Sequence, residues 1–263
     1  MAFKNEQVVI LCGGEGTRLR EETEFRPKAL VEIGGRPIIW HLMRIYYRFG
    51  YRRFVLCLGY KGEMIKDYFL DYRWRDFDFR LDLESGKREL LSGFGQVENW
   101  EITFVETGPH SQTGARLSRA RRYIDGDWFL CNYSDGLSDL DVDALVDFHR
   151  ARGKIATLTG FHPRSRFGVV RASEEGIVEY FQEKPIMAEQ TSGGFFVMQK
   201  GIFDYLSDDE DCVLETTPLE RLAAERQLAL YPHDGFWFSM DTYKEALALN
   251  RMWNEGKAPW KTW

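Results

Sequence analysis

The chain has 263 residues, and its 35 Lys and Arg residues against 41 Asp and Glu residues give a formal net charge of −6 at pH 7. Proteins that bind the nucleic-acid backbone usually carry a basic surplus, so this balance argues against a nucleic-acid partner. Hydrophobic residues make up 44% of the chain and charged residues 29%, proportions typical of a folded globular domain and not of a disordered chain.

The N-terminal segment and the cysteines indicate the compartment. The first apolar run, Val8–Cys12, is too short for the core of a signal peptide, and no apolar run reaches the ~18 residues that a membrane span needs. The four cysteines show neither a CxxC pair nor zinc-ligand spacing. Three of them end apolar runs, where a reduced thiol behaves as a small hydrophobic group. We therefore predict no membrane partner and a cytoplasmic location.

Apolar strand-like runs alternate with amphipathic stretches over residues 1–152. Strands are predicted at Val8–Cys12, Phe54–Leu58, Ile102–Glu106 and Trp128–Asn132. Helices are predicted at Pro37–Phe49, Lys61–Leu70, Ala115–Tyr123 and Val142–Arg152. Nearly continuous apolar strands separated by helices indicate a mostly parallel sheet covered on both faces. The predicted fold is therefore α/β, a Rossmann-like, doubly wound, mostly parallel sheet.

The pattern changes to closely spaced short strands from residue 153 onward. Further strands are predicted at Ile155–Phe161, Phe167–Arg171, Ile177–Gln182 and Gly194–Met198, with helices at Pro218–Arg226 and Tyr243–Glu255. We expect a smaller, partly antiparallel section laid against the first sheet within a single domain, 1–263. Residues 71–100 show no clean period, so they are interpreted as an insertion or an assembly arm.

A glycine-rich segment follows directly on the first predicted strand: Cys12-Gly13-Gly14-Glu15-Gly16-Thr17-Arg18-Leu19. Glycines at the carboxyl edge of an open α/β sheet let the backbone approach phosphates and point N–H groups at them. The segment is not a Walker A loop, because no Gly-Lys-Ser/Thr follows. It also fails the dinucleotide fingerprint, because Leu19 stands where the third small residue is required. The pattern predicts a phosphate site of another kind.

Two cations flank this loop. Arg18 lies within it, and Lys28 follows ten positions later, directly after Pro27, which constrains the backbone that presents the lysine. A fixed arginine and a fixed lysine suit a polyphosphate whose charge is redistributed during a reaction. The alternative is a glycine-rich turn with two solvated cations.

The loop and its cations resemble the signature of the sugar-phosphate nucleotidyltransferases, here Gly13–Leu19 with Arg26-Pro27-Lys28. The resemblance covers essentially the whole chain, and further strings are similar to one branch of that family, the glucose-1-phosphate cytidylyltransferases. These strings are Glu21-Glu22-Thr23, Val31–Ile38, Gly59-Tyr60-Lys61-Gly62, Asn99-Trp100, Thr107-Gly108, Phe181–Pro185 and the tail Gly256–Trp263.

The resemblance implies the reaction and its nucleotide site. CTP and α-D-glucose 1-phosphate would give CDP-glucose, a deoxysugar or surface-polysaccharide precursor, and pyrophosphate. Arg18, Lys28 and Lys184 would be catalytic. The nucleotide-binding residues that the resemblance implies are Leu11, Gly13, Gly14, Glu15, Gly16, Thr17, Arg18, Lys28, Thr113, Arg116 and Asp135.

Condensing two phosphorylated substrates brings like charges together, so a divalent cation is expected. The family places Mg²⁺ on aspartates that match Asp135 and Asp241. Asp135 follows the apolar run Trp128–Cys131, which puts it on the same sheet edge as the glycine loop. The alternative interpretation is a turn or capping acid for Asp135, and the N-cap of the helix near Tyr243 for Asp241. Asp139, Asp141 and Asp143 are interpreted as capping or solvated acids.

The resemblance assigns the sugar phosphate to the second half of the chain, 153–263, and the nucleotide to 1–152. The implied sugar-phosphate-binding residues are Gly168, Glu183, Lys184, Ser192 and Gly193. Carboxylates accept from vicinal hydroxyls and a lysine neutralises a phosphate, which fits this set. Three serines depart from the branch pattern at positions 134, 165 and 192, and Ser192 leaves the identity of the sugar open.

Three hypotheses follow: the cytidylyl transfer above, the same chemistry with another sugar 1-phosphate or with UTP or dTTP, and a non-catalytic nucleotide-sugar sensor. A sensor is expected to lose the acids that bind the metal or the cations that bind phosphate. All five such groups are present in this chain: Arg18, Lys28, Asp135, Lys184 and Asp241. A homo-oligomer is expected from the resemblance, with the Trp-rich tail either at an interface or packed on its own domain.

Overall fold

The computed structural model describes residues 3–92, 98–165 and 167–263. Its strands, numbered in chain order, are β1 (Lys4–Leu11), β2 (Glu32–Ile33), β3 (Arg36–Pro37), β4 (Tyr51–Leu58), β5 (Phe79–Leu81), β6 (Arg88–Leu90), β7 (Glu101–Glu106), β8 (Trp128–Tyr133), β9 (Gly136–Ser138), β10 (Ala156–Phe161), β11 (Val169–Ala172), β12 (Val178–Gln182), β13 (Thr191–Ser192), β14 (Phe196–Gln199), β15 (Leu228–His233) and β16 (Trp237–Ser239).

The α-helices are α1 (Arg20–Thr23), α2 (Ile38–Arg48), α3 (Gly62–Leu70), α4 (Tyr72–Asp76), α5 (Thr113–Ala120), α6 (Val142–Arg152), α7 (Thr217–Ala224) and α8 (Tyr243–Asn254). Short 3₁₀ turns occupy Thr17–Leu19, Lys28–Leu30, Arg121–Tyr123 and Lys200–Tyr205. Within the described residues, no helix is both long and apolar enough to cross a bilayer.

One large sheet organises the molecule, with the strand order β13-β10-β14-β8-β1-β4-β7 and β15 added beside β10. The strands β8, β1, β4 and β7 are parallel, as predicted. Both faces of β1 are covered: Val8 and Ile10 belong to one core, and Val9 and Leu11 to the other. The first half is therefore a doubly wound α/β layer, which confirms the predicted fold class.

The second half of the chain differs from the prediction in how it joins the first. It was expected as a section laid against the first sheet, but β14 pairs antiparallel with β8 and continues the same sheet through β10. The strand β15, which pairs parallel with β10, was not predicted. Its residues are only partly buried, and its short apolar run Leu228–Tyr231 ends at a proline, so the sequence pattern did not separate it from a loop. The hairpin of β11 and β12 stands outside the main sheet, as does β16, which pairs with β9.

The stretch 71–100 contains regular structure that its sequence did not predict. Helix α4 and the antiparallel hairpin of β5 and β6 lie within it, and residues 93–97 fall outside the described part of the chain. The hairpin strands are short and exposed, which explains why no hydrophobic period marks them.

The C-terminal tail packs on its own domain. Trp260 is fully buried, and its indole Nε1 donates to His41 Nδ1 at 3.3 Å. Because Nδ1 is the acceptor, the proton is on Nε2, which donates to Ile33 O at 2.8 Å. Asn250 of α8 accepts from Gly34 N at 2.9 Å and donates to Glu32 O at 3.0 Å. Helix α8 and the tail are thereby tied to the short hairpin of β2 and β3.

Burial lowers the pKa of His41 to about 4, so His41 is neutral in the folded protein at pH 7 but titrates near 6.5 when unfolded. Below about pH 6.5, His41 binds a proton in the unfolded chain but not in the folded chain. We expect the free energy of unfolding to fall by up to about 3 kcal/mol between pH 6.5 and 4 from this group. Urea unfolding of wild type and His41→Gln at several pH values measures it; equal pH slopes for the two proteins would contradict the assignment.

Candidate active site

The glycine loop begins where β1 ends, at the carboxyl edge of the parallel strands. A Cβ at Gly13 would lie 2.2 Å from Arg116 Nη1 and 2.8 Å from Gly59 N, so only glycine fits there. The Gly13 carbonyl accepts from Tyr60 N at 2.9 Å. Gly16 has φ 63°, a conformation that favours glycine. Close packing and this turn fix the course of the loop before any ligand arrives.

Arg116 braces the loop from inside the protein. Its guanidinium donates to Gly13 O at 2.9 Å, Leu58 O at 3.0 Å and Gly108 O at 2.7 Å, and it is almost fully buried. Burial lowers the pKa of Arg116 from its usual value. The side chain lines the cavity as expected, but its donors are committed to backbone carbonyls, so its contribution is to shape the site.

A cavity of about 290 Å³ lies over the loop. Apart from Glu15, every residue predicted to bind nucleotide lines it. The lining consists of Leu11, Cys12, Gly13, Gly14, Gly16, Thr17, Arg18, Lys28, Ser111, Gln112, Thr113, Arg116, Tyr133, Ser134, Asp135 and Asp241. The structure thus brings together residues from four separated parts of the sequence.

Strand pairing brings the two aspartates together. Asp135 lies in the turn between β8 and β9, and β16 pairs antiparallel with β9 through Gly136 and Ser239. Met240 N then donates to Asp135 O at 3.0 Å, which sets Asp241 beside the turn. Neither β9 nor β16 was predicted, because each has only three residues.

Lys28 lies between the two carboxylates. Its Nζ donates to Asp135 Oδ2 at 2.5 Å and to Asp241 Oδ1 at 2.8 Å. Burial acts to lower the pKa of Lys28, but the two carboxylates outweigh it and hold that pKa above its usual value. Burial acts to raise the pKa of Asp241, but Lys28 and then Arg18 hold it below its usual range. Lys28 and Asp241 are therefore both charged at neutral pH.

Arg18 completes the cluster from the solvent side. Its Nη2 lies 2.8 Å from Asp241 Oδ1, while its side chain remains 68% exposed. Lys28 is deep and Arg18 is open to solvent, so the two cations can meet different parts of one anionic ligand. An exposed ion pair of this kind contributes little to stability, which leaves Arg18 free to exchange partners.

The alternative role of Asp241 as a helix cap is wrong. The N-cap of α8 is Thr242, whose side chain accepts from Glu245 N, and Glu245 closes a capping box. The Asp241 carboxylate is instead directed to Lys28 and Arg18. Asp141 caps α6 by accepting from Ala144 N at 3.0 Å, which confirms its predicted capping role.

The donor set at Asp135 and Asp241 suits a small, hard cation. Both carboxylates already share one positive charge, the Lys28 ammonium. Mg²⁺ is commonly held by one or two carboxylates together with substrate phosphates. Across the described ranges, no group of three or more His, Cys, Asp or Glu residues forms a complete metal cage. A cation here would therefore need phosphate oxygens as further ligands.

The residues predicted to bind the sugar phosphate lie outside this cavity. Gly168 and Glu183 meet at the base of the β11–β12 hairpin, where a Cβ on Gly168 would lie 3.1 Å from Glu183 Oε2. Lys184 Nζ lies 3.4 Å from Glu183 Oε1, and Lys184 has a positive φ of 47°. Both side chains are more than half exposed. Their assignment to the sugar remains a prediction.

Ser192 and Gly193, the other residues predicted to bind the sugar phosphate, lie at the end of β13 and directly after it. The Gly193 carbonyl accepts from Trp237 Nε1 at 2.7 Å, and Trp237 stacks on Phe161 at 3.8 Å. Trp237 lies on β16, four residues before Asp241. The wall that carries Ser192 is therefore fixed to the strand that carries the second aspartate.

Sequence reasoning missed two residues that shape the cavity. Tyr133 lines it directly, and Glu215 accepts from Thr113 Oγ1 at 2.6 Å and from the Tyr133 hydroxyl. Tyr133 ends the strand that leads to Asp135, a position that could have drawn attention to it. Glu215 precedes α7 with no motif around it, and no sequence signal distinguishes it.

Comparison with known proteins gives the class. The profile of the nucleotidyl transferase family matches residues 7–245. Two solved structures share the fold: apo UDP-glucose pyrophosphorylase, with a TM-score of 0.69 at 17% identity over 98% of this chain and 100% of that one, and HddC from Yersinia pseudotuberculosis, with a TM-score of 0.66 at 21% identity over 94% and 99%. The chain belongs to the nucleotidyl transferase family and is a nucleotidyltransferase.

More similar relatives narrow the group. The chain is 45% identical to a probable glucose-1-phosphate cytidylyltransferase of Bacillus subtilis over 98% of this chain and 100% of that one. It is 44% identical to the glucose-1-phosphate cytidylyltransferase of Salmonella typhi over 98% and 99%. Within the nucleotidyltransferases, the chain belongs to the glucose-1-phosphate cytidylyltransferase family, which confirms the resemblance read from its motifs.

Replacement of Lys28 tests its position in the site. Lys28→Ala leaves the main-chain geometry intact but removes a preorganised cation, so we expect a folded protein whose rate of nucleotidyl transfer falls by about 10²–10³-fold. Steady-state kinetics and a melting curve measure the two effects. Lys244→Ala, which removes an exposed lysine at the start of α8, is the matched control; near-wild-type turnover by Lys28→Ala would exclude the role.

Proposed function

We propose that the protein transfers a cytidylyl group from CTP to α-D-glucose 1-phosphate, giving CDP-glucose and pyrophosphate. The observation that carries this proposal is the cluster of Lys28, Asp135, Asp241 and Arg18 over a preformed glycine loop. The loop offers backbone N–H groups to phosphates, and the cluster offers two cations and two carboxylates. The choice of the two substrates follows the names of the relatives at 44–45% identity.

Catalysis in this proposal consists of positioning and charge stabilisation. A phosphate oxygen of the sugar phosphate attacks the α-phosphorus of CTP, in line with the departing pyrophosphate. The attacking oxygen is already ionised at neutral pH, so no general base is required. Arg18 holds the leaving pyrophosphate, and Lys28 exchanges its contacts with Asp135 and Asp241 for the α-phosphoryl group.

Mg²⁺ is the proposed cofactor, held by Asp135 and Asp241. It would neutralise the phosphates of both substrates and so reduce their mutual repulsion. The carboxylates fit this role because they lie close enough to share one ammonium group.

The sugar phosphate is proposed to bind on the side of the second half of the chain. Lys184 seats its phosphate, and Glu183 accepts from sugar hydroxyls, with Gly168 leaving room beside Glu183. Ser192 and Gly193 would form the opposite wall. Because the Lys184 and Glu183 side chains are largely exposed, they are free to turn toward a ligand.

A cytoplasmic location suits the four free cysteines, three of which are buried.

A turnover panel of the four ribonucleoside triphosphates and dTTP against glucose, mannose and galactose 1-phosphates tests the proposal. We expect CTP with glucose 1-phosphate to have the highest kcat/KM, measured by pyrophosphate release. A faster reaction with UTP or dTTP would refute the cytidylyl assignment. Ser192 leaves the identity of the sugar less determined than the identity of the nucleotide, since a serine offers fewer hydrogen bonds than the carboxamide usual in this branch.

We also propose that the protein is a homo-oligomer. The hairpin of β11 and β12 stands outside the main sheet with Val170, Val178 and Phe181 more than half exposed. A two-stranded hairpin alone is marginally stable in water, and a second copy of the chain packed on it would bury these side chains. The Trp-rich tail is not part of this surface, since Trp260 is buried within its own domain.

Light scattering coupled to size exclusion measures the oligomeric state. We expect a mass of at least twice the monomer for wild type. Val178→Lys and Phe181→Lys place charges on the exposed hairpin and should lower that mass without lowering the melting temperature of the domain. A monomeric wild-type protein would contradict the proposal.

A further inference from the structure

The cavity has a charged part and an uncharged part. Arg18, Lys28, Asp135 and Asp241 form the charged part, whereas the uncharged side chains of Ser111, Gln112, Thr113 and Tyr133 line another part. The triphosphate is drawn to the cations and the loop N–H groups. The nucleoside, which is uncharged, is left to lie along the second part.

Glu215 is not itself part of the lining, but it holds two side chains of this uncharged part. Its carboxylate accepts from Thr113 Oγ1 at 2.6 Å and from the Tyr133 hydroxyl. Thr113 Oγ1 in turn accepts from Leu214 N at 2.9 Å, so its one proton is committed to Glu215. Burial and the neighbouring carboxylate raise the pKa of Tyr133, and its hydroxyl therefore keeps the proton that it donates to Glu215.

These bonds leave acceptors, and no free hydroxyl proton, at Thr113 and Tyr133. A carboxylate has about four acceptor positions, of which two are filled here. Arg116, which also lines the cavity, has its guanidinium committed to backbone carbonyls. The Glu215 side chain is exposed and is bonded to two residues that line the cavity, so a ligand that extends along Thr113 and Tyr133 can meet its remaining lone pairs.

We propose that Glu215 selects the base of the nucleotide by accepting a hydrogen bond from the exocyclic amino group of cytosine. Uracil and thymine carry a carbonyl oxygen at the same position of the ring. That oxygen would face the carboxylate with no proton between them, and a site built to bind a donor discriminates strongly against a ligand that lacks it. This inference rests on the proposed function and adds the residue that distinguishes CTP from UTP.

The test compares kcat/KM for CTP and UTP in wild type and in Glu215→Gln, with glucose 1-phosphate as co-substrate. The amide keeps the shape and one acceptor but adds a donor. We expect the CTP value to fall by about tenfold or more and the UTP value to hold or rise, so the CTP/UTP ratio falls at least about tenfold. Equilibrium binding of CTP alone should weaken in parallel.

Glu210→Gln is the matched control, because Glu210 lies on the same segment with an exposed side chain. Its backbone carbonyl accepts from Gln112 N at 2.8 Å, and its carboxylate lies 4.0 Å from Arg119 Nη1 without contacting Thr113 or Tyr133. This variant should keep the wild-type CTP/UTP ratio. If Glu215→Gln does not fold, Tyr133→Phe can be used instead. It removes one of the hydrogen bonds that position the Glu215 carboxylate and should also lower the CTP/UTP ratio.

The possible outcomes separate the two proposals. A wild-type protein that prefers CTP, with an unchanged ratio in Glu215→Gln, overturns the role of Glu215 and leaves the proposed function standing. Equal losses for CTP and UTP also overturn it, because they indicate a purely structural contact. A wild-type preference for UTP overturns the proposed function and this inference together.

Discussion

The shared contact of Lys28 with Asp135 and Asp241 is the interaction on which the site depends. Two carboxylates this close repel each other, and each would be costly to keep half-buried without a partner. Both share one ammonium group, at 2.5 Å and 2.8 Å, and Arg18 adds a second positive charge beside Asp241. Its partners lie 107 and 213 residues away in sequence, so the fold must complete almost the entire chain before the contact exists.

The rest of the structure holds the three members of this contact in place. The pairing of β9 with β16 sets Asp241 beside Asp135, and Arg116 and Tyr60 hold the glycine loop below them. The aromatic tail ties α8 to the hairpin that follows Lys28. The aromatic side chains of the tail thus stabilise the approach to the site through buried contacts and do not line the cavity.

The net charge of −6 describes the surface and not the cavity. At the glycine loop, two cations face two carboxylates, and the backbone N–H groups of the loop add partial positive charge. Local placement therefore decides anion binding, as expected for a chain with no basic surplus. Arg116 illustrates the difference between composition and placement, because its guanidinium donates to carbonyl groups within the protein.

The sequence by itself determined the parallel α/β layer, the glycine loop and the cavity residues Arg18, Lys28, Asp135 and Asp241. Continuous apolar strands and a glycine loop with two cations are local patterns that can be recognised without the fold, whereas Asp241 was assigned only through the family resemblance. Tertiary structure decided that the second half extends the same sheet, that Lys28 bridges both aspartates, and that Arg116 braces the loop. It alone revealed Glu215, whose contacts with Thr113 and Tyr133 span 102 and 82 residues. Strand pairing and side-chain contacts across such separations depend on the folded path of the chain, and no spacing in the sequence encodes them.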